Sequence, residues 1–368
     1  MKQVFSGAAG NVRKLGGITM GITKKVFGKT KDGKKVTSYI LKNKNGMEAE
    51  FIDYGAVLVK LWVPDQKGNK ADVVLGYDTV AEYEKTTTYY GGFIGRCGNR
   101  IANGEFALNG KKYTLDKNNN GNHLHGGNTG YNNMMYEVET FEEEEGPVIE
   151  FSRLSPDMEQ GFPGNLDITV TYTLTHENEL IIEYLAVPDK DTIVNLTNHT
   201  YFNLAGHKSG TVLKHKVRLD ADSFIPTDDK LIPTGEITKV EGTPMDFRKA
   251  KTIGQDIDAD YEALNFGSGY DHTYVLNTNG NEIEFIGELM DEASGRKMEI
   301  YTDLPGVQFY TGNFIEGSAK GGGEYAKRAG VCFETQYFPD AVNHANFPSP
   351  VVKAGEEFDS TTIYRFIW

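Results

Sequence analysis

Hydrophobic and polar residues alternate with a period of two along much of this 368-residue chain. The clearest case is 167–175, where Ile168, Val170, Tyr172 and Leu174 point to one face and threonines occupy the other. This pattern is typical of an antiparallel strand that is buried on one side only. The alternation therefore predicts sheets that cover a core with one face, and it leaves few stretches with a helical period.

Dipeptides that favour tight turns separate the alternating stretches. Asn-Gly and Asp-Gly supply the positive φ angles of a type I′ hairpin turn, and Ser-Gly is a related turn signal. We therefore predict one hairpin across Asn109 and Gly110 and another across Ser294 and Gly295. The predicted strand partners are 106–108 with 112–115, and 282–289 with 296–301.

The domain organisation follows from what interrupts the strands. Residues 78–85 are predicted to form a short helix capped by Asp78, and the sequence has no internal repeats or Pro-rich linkers. We predict an all-β fold, a single large antiparallel β-sandwich domain over 26–368. A loosely held N-terminal extension is predicted over 1–25. A curved sandwich leaves a concave face where a ligand can bind.

Charge and cysteine content narrow the function classes. The formal net charge is −14 and the pI is near 5.1, which disfavours nucleic acid as a partner. Cys97 and Cys332 do not form a C-x-x-C motif, and no stretch approaches the roughly 20 apolar residues of a transmembrane helix. We expect a cytoplasmic protein that is a monomer or weak homodimer, acts on a small molecule and has no membrane partner.

Two polar segments suggest ligand contacts. Asn99 beside Arg100 offers fixed donors for hydroxyl groups, with surface arginines as the alternative interpretation. His123 and His125 have the spacing of two metal ligands on a strand, but a third ligand is not obvious. A hydrogen-bonding His125 is therefore preferred, and we predict that the glycines at 126–127 let the backbone approach a ligand.

His199 and Glu334 are the candidates for an acid and a base. His199 is flanked by Asn198, Thr200 and Asn203, which we expect to orient its imidazole. Glu334 lies in an apolar stretch, where burial would raise its pKa toward the working pH. A glutamate on an exposed strand edge is the alternative interpretation.

Two further segments contain candidates for binding. Asp246 follows Pro244, either in a simple Asx turn or in contact with a ligand. Gln308 stands beside Phe309 and Tyr310, whose rings could stack on the C–H face of a sugar. Motifs of the G-x-S-x-G, P-loop and H-E-x-x-H types are absent from the sequence, which disfavours nucleophilic hydrolysis, phosphoryl transfer and zinc proteolysis.

Taken in order, eight segments resemble the aldose 1-epimerase (galactose mutarotase) family, and together they span about 26–368. The segments are GRCGNRI (95–101), LHGG (124–127), GFPG (161–164), TNHTYFNL (197–204), TPMDFR (243–248), GVQFYTGN (306–313), FETQ (333–336) and PDAVN (339–343).

The resemblance implies a galactose mutarotase-like β-sandwich that interconverts the α and β anomers of free hexoses such as galactose and glucose. It implies Glu334 as the catalytic base and His199 as the imidazolium acid, with neither a cofactor nor a metal. The implied sugar-binding residues are Asn99, Arg100, His125, Asp246 and Gln308.

Three alternatives remain open from the sequence. A glycosidase would need two carboxylates, and Asp246 could be the second beside Glu334. A non-catalytic sugar-binding or sugar-sensing protein would not require the pair of His199 and Glu334. A phosphosugar epimerase would require additional basic residues around the pocket, which the net charge of −14 does not favour.

Overall fold

The computed structural model describes residues 21–280 and 282–368. Antiparallel strands dominate, as the alternation predicts, and most of them lie in three sheets. The N-terminal sheet consists, in spatial order, of Gly21–Lys29, Lys35–Lys42, Glu48–Ile52, Val57–Pro64 and Lys70–Asp72.

The second sheet is the largest and has nine strands, which we call the large sheet. Its strands in spatial order are Glu137–Glu142, Pro147–Ser155, Leu166–Leu174, Glu179–Pro188, Phe358–Ile367, Arg296–Thr302, Glu284–Asp291, Lys216–Leu219 and Lys251–Thr252.

The third sheet, which we call the site sheet, places the candidate functional residues. Its five strands in spatial order are Thr238–Lys239, Ser223–Phe224, Asp271–Val275, Gly306–Tyr310 and Cys332–Gln336. Among the described residues, five two-stranded pairs complete the strands: Phe93–Ile94 with Thr197–Asn198, Arg100–Ile101 with His123–Leu124, Glu105–Leu108 with Lys111–Thr114, Thr192–Ile193 with Val351–Val352, and Gly317–Ser318 with Glu324–Tyr325.

Both predicted hairpins are confirmed. Glu105–Leu108 pairs with Lys111–Thr114 across Asn109 and Gly110, and Glu284–Asp291 pairs with Arg296–Thr302. Asn109 and Gly110 both have positive φ angles, as a type I′ turn requires. Local turn chemistry therefore fixed these two registers.

The first strand, Gly21–Lys29, begins inside the range predicted as an N-terminal extension and pairs with Lys35–Lys42. Residues 1–20 of that predicted extension lie outside the described residues. The main hydrophobic core cluster contains residues of the N-terminal, large and site sheets. Phe51, for example, lies with its ring 4.6 Å from that of Tyr172.

Helices are short. The α-helices are Val80–Tyr83 and Glu262–Gly267, and the 3₁₀ turns are Ala102–Gly104, Tyr131–Asn133, Glu159–Gly161, Ile253–Gln255 and Ala341–Asn343. The first helix is capped by Thr79 and not by Asp78, because Thr79 and Glu82 form a reciprocal capping box. Within the described ranges, none of the helices is long and apolar enough to cross a membrane.

Candidate active site

A cavity of about 550 Å³ opens beside the site sheet and collects most of the predicted site residues. Its wall combines ionisable side chains with aromatic rings and amides. The residues used below are Tyr89, Asn99, Arg100, His125, His199, Tyr201, Asp271, Tyr310, Phe314 and Glu334.

Glu334 lies in the strand Cys332–Gln336 and is only 2% exposed. Its Oε1 is 3.6 Å from Nε2 of His199, while Oε2 is buried without a hydrogen-bond partner in the protein. Burial raises the pKa of Glu334 well above 4.5; the negative charge of Asp271 adds to the rise and Arg100 opposes it. Burial thus favours the protonated carboxyl, and one of its oxygens is left without a partner beside the cavity.

His199 is held by aromatic rings. Its imidazole stacks between Tyr89 and Tyr201, with centroid distances of 5.6 and 4.9 Å. Its Nδ1 is 3.5 Å from Sγ of Cys332. Burial lowers the pKa of His199 to about 3, so the free imidazole is neutral near pH 7.

The expectation that Asn198, Thr200 and Asn203 orient His199 is wrong. Asn198 donates to the carbonyl of Gly91 and accepts from Thr200. Asn203 donates to the carbonyls of Gly210 and Ala329. Asn198 and Asn203 satisfy backbone carbonyls instead, and Thr200 bonds to Asn198. Sequence proximity identified the segment but not the groups that touch the ring.

Glu334 and His199 can share one proton. Burial disfavours a negative carboxylate and a positive imidazolium alike, so both pKa shifts favour the uncharged pair in the free protein. Moving the proton from Glu334 to His199 creates the carboxylate and imidazolium without changing the total charge. The pair can therefore act as base and acid in either direction.

His125 also lies in the wall, at a backbone φ of 49°. Its Nδ1 accepts a hydrogen bond of 3.1 Å from the backbone N–H of Asn99, and burial lowers its pKa well below 6.5. A neutral imidazole with an accepting Nδ1 carries its proton on Nε2. His125 therefore presents a donor to a ligand.

His125, His199 and Glu334 place their ligand atoms within 4.8 Å of one another, a spacing that a metal ion could bridge. The position of the proton on His125 does not allow this residue to bind such an ion. Because Nδ1 of His125 faces the N–H of Asn99, its Nε2 has no lone pair to offer. Two candidate ligands remain, and one of them is Glu334, whose protonated form burial favours.

The two arginines of the 91–101 segment differ, and neither is a surface ion. Arg96 is 2% exposed and donates to the carbonyls of Pro163 and Gly164 and to Ser155. Arg100 lines the cavity, with hydrogen bonds of 3.4 to 3.5 Å to the Asn119 and Asn99 side chains. Arg96 is thus a structural residue, whereas Arg100 retains donors for a ligand.

Gln308 is buried and lies opposite Glu334 in the sheet register. Its Nε2 donates to Asp271 over 2.6 Å, and its Oε1 accepts from Thr273 over 2.5 Å. The amide thus bonds to the protein and orients Asp271, which lines the cavity. Gln308 lies behind the wall, and sequence reasoning missed Asp271.

Asp246 does not line the cavity. Arg248 donates to Asp246 from Nε at 3.0 Å, from a terminal nitrogen at 2.8 Å and from its backbone N–H at 3.1 Å. The predicted Asx turn is therefore the correct interpretation of this segment, and Arg248 holds both carboxylate oxygens. The structure therefore does not bring Asp246 to the cavity wall, where Asp271 lies.

The remaining motif residues divide between wall and core. Tyr310 lines the cavity, whereas Phe309 is fully buried in the main core. A Cβ at Gly126 would lie 1.8 Å from the carbonyl oxygen of Gly95, so this glycine permits contact with protein backbone and not with a ligand. The aromatic walls Tyr89 and Tyr201 carried no sequence signal that distinguished them from core residues.

Comparison with known proteins agrees with this geometry. The family model for aldose 1-epimerase matches residues 37–365. Galactose mutarotase of Bos taurus is 42% identical over 347 residues, which covers 94% of this chain and 98% of that protein. Aldose 1-epimerase of Escherichia coli (strain K12) is 36% identical, covering 91% of this chain and 96% of that protein.

Solved structures share the fold. Galactose 1-epimerase from Lactobacillus acidophilus superposes with a TM-score of 0.84 at 27% identity, covering 95% of this chain and 99% of that one. The GalM/aldose epimerase homologue from C. elegans gives a TM-score of 0.82 at 34% identity, covering 90% and 99%. The predicted β-sandwich fold is therefore confirmed, and the chain belongs to the aldose 1-epimerase family.

Proposed function

We propose that this chain interconverts the α and β anomers of free hexoses, galactose and glucose among them, through Glu334 and His199. The observation that carries the proposal is the buried pair itself, with 3.6 Å between Oε1 and Nε2 and an unpartnered carboxyl oxygen beside the cavity. Ring opening needs one group to accept a proton and another to donate one, and this pair supplies both.

The first half of the reaction starts from the carboxylate–imidazolium form of the pair. Glu334 takes the proton of the C1 hydroxyl while Nε2 of His199 gives its proton to the ring oxygen O5. The C1–O5 bond breaks and an open-chain aldehyde forms. Glu334 is then protonated and His199 neutral, which is the form that burial favours.

The second half reverses these transfers on the other face. The aldehyde turns about the C1–C2 bond, O5 attacks C1 and loses its proton to His199, and Glu334 returns its proton to O1. All atoms and protons balance without a cofactor. Each positioned acid or base typically contributes about 10²–10⁴-fold to such a reaction.

The remaining wall residues would hold the sugar while C1 moves. We assign hydroxyl contacts to Arg100, to Nε2–H of His125 and to Asp271, which is oriented by Gln308. Asn99 supports two of these groups, since its N–H fixes the tautomer of His125 and its Oδ1 accepts from Arg100. Phe314, 59% exposed at the cavity, offers an apolar ring face.

Polarimetry tests the proposal. Freshly dissolved α-D-galactose and α-D-glucose should reach anomeric equilibrium faster with the wild type than without protein. Glu334→Gln and His199→Asn should each remove nearly all of that acceleration. A wild type that does not accelerate mutarotation would overturn the assigned function, and full activity in Glu334→Gln would overturn the assigned base.

A glycosidase remains the second candidate, because Asp271 and Glu334 place two carboxyl groups in one cavity. Release of p-nitrophenol from a p-nitrophenyl galactoside distinguishes the two, since mutarotation breaks only the ring bond. We expect no release above background.

We also propose a cytoplasmic location and a monomer or weak homodimer. Cys97 and Cys332 are both buried free thiols, which suits a reducing compartment. Light scattering during size-exclusion chromatography, at two protein concentrations, would test the oligomeric state.

A further inference from the structure

Cys332 and Glu334 are two residues apart in one strand of the site sheet. Residues at positions i and i+2 of a strand project from the same face. Sγ of Cys332 lies 3.5 Å from Nδ1 of His199, and Oε1 of Glu334 lies 3.6 Å from Nε2 of the same ring. One strand therefore contacts both nitrogens of the imidazole.

The surroundings favour one placement of the ring proton. Oε1 of Glu334 faces Nε2, and burial raises the pKa of this carboxyl and so favours its protonated form, which suits a bare Nε2 and a hydrogen on Nδ1. The sulfur of Cys332, 3.5 Å away, is the side-chain atom placed to accept from Nδ1. Burial raises the pKa of the Cys332 thiol well above 9, so the sulfur is neutral.

We propose that Cys332 is a positioning residue, whose sulfur accepts Nδ1–H of His199 and thereby directs the Nε2 lone pair toward the mobile proton. This inference rests on the proposed function, because the Nε2 lone pair is the group that exchanges a proton with O5. The opposite tautomer would present Nε2–H and could not take a proton back during ring closure.

The chemistry of the acceptor also fits the reaction. A carboxylate at Nδ1 would stabilise the imidazolium and raise its pKa, whereas a neutral thiol is only a weak acceptor. The weak hydrogen bond to the Cys332 sulfur keeps the neutral ring protonated at Nδ1. It does not stabilise the imidazolium, which therefore remains a strong acid toward O5. The facing groups Tyr89, Tyr201 and Tyr310 contact the ring by stacking or by an edge, and His125 lies edge-on.

Kinetics with variants of both cysteines form the first test. Cys332→Val removes the acceptor at similar volume, and we expect kcat to fall about 10-fold, the equivalent of one hydrogen bond, with KM little changed. Cys332→Ser restores an acceptor, so it should recover most of kcat. Cys97→Val is the matched control: Cys97 is also buried, its thiol bonds to the carbonyl of Gly98, and kcat should not change.

The second test reads the tautomer without using activity. In a long-range ¹H–¹⁵N spectrum, with His199→Asn for assignment, free wild type should show His199 protonated at Nδ1 and bare at Nε2. Cys332→Val should shift the signals toward a mixture. A wild-type ring protonated at Nε2, or a folded Cys332→Val that keeps full kcat, would overturn the positioning role. Absence of mutarotation in the wild type would instead refute the proposed function and leave the spectrum interpretable.

Discussion

Two buried ionisable pairs in this molecule differ in how completely they are satisfied. Lys320 and Asp72 lie 2.7 Å apart, and Nζ of Lys320 also donates to the carbonyls of Val59 and Val74. Oδ1 of Asp72 accepts from the backbone N–H of Leu61. Every charge of this pair has protein partners at hydrogen-bond distance, so it joins segments of the fold.

The pair of His199 and Glu334 is equally buried but incompletely bonded. Its atoms are 3.6 Å apart, and Oε2 of Glu334 has no protein partner. An unsatisfied polar atom in the interior costs free energy unless a ligand binds it. Burial alone therefore does not identify a functional ionisable group. A buried group beside a cavity with a polar atom that lacks a hydrogen-bond partner does.

The largest expected effect is a loss of mutarotation activity on substitution in the pair of His199 and Glu334. Glu334→Gln or His199→Asn should lower kcat for mutarotation by about 10²–10⁴-fold, because each removes one proton-transfer group. Glu334→Gln should not lower the urea midpoint of unfolding appreciably, since this isosteric change removes few bonds. A large loss of stability in Glu334→Gln would contradict the distinction between the pairs.

The next effect is on stability. Asp72→Asn leaves Lys320 buried without its counter-ion, so the free energy of unfolding should fall by about 3–5 kcal/mol. Activity per folded molecule should stay near wild type, as measured by polarimetry after urea titration gives the folded fraction. Lys190→Met is the control, because its pair with Asp157 is exposed and should be worth less than about 1 kcal/mol.

A smaller effect contrasts two aspartates. Asp271→Asn should lower kcat/KM by about 10- to 100-fold, because it would weaken the proposed hydrogen bond between Asp271 and a sugar hydroxyl and change the field at Glu334. Asp246→Asn should leave kcat/KM unchanged, since Asp246 is bonded to Arg248 outside the cavity wall. Equal losses in both variants, measured by initial-rate polarimetry, would refute this placement of the sugar site.

The fold was predictable where the controlling signals are local. The hairpin across Asn109 and Gly110 follows from turn chemistry, and the strand Leu166–Leu174 follows from alternation. The helix cap was misplaced by one residue, because Asp78 and Thr79 are both good caps and only the bonds with Glu82 distinguish them.

The site was predictable only in part, because it depends on pairing between distant strands. Asp246 and Asp271 are both aspartates beside aromatic residues in the sequence, but only Asp271 is brought next to Gln308 by strand pairing. A partial signal did exist, since Asp271 stands between the aromatic residues Tyr270 and His272 at the start of a strand-like stretch. Cys332 and His199 are 133 positions apart in the sequence, and no local sequence pattern predicts their contact.

We infer that Glu334 and His199 share one proton in the free enzyme. The pH dependence of kcat/KM in the wild type tests this inference most directly, because that profile reports the pKa values of the free enzyme. Burial lowers the pKa of His199 to about 3 and raises that of Glu334 well above 4.5. The singly protonated pair therefore persists from about pH 3 upward until Glu334 ionises. After subtraction of the spontaneous rate, we expect a flat profile through the ordinary carboxyl pKa of 4.5. Activity that rises around pH 4.5, as an ordinary carboxyl ionises, would contradict the account.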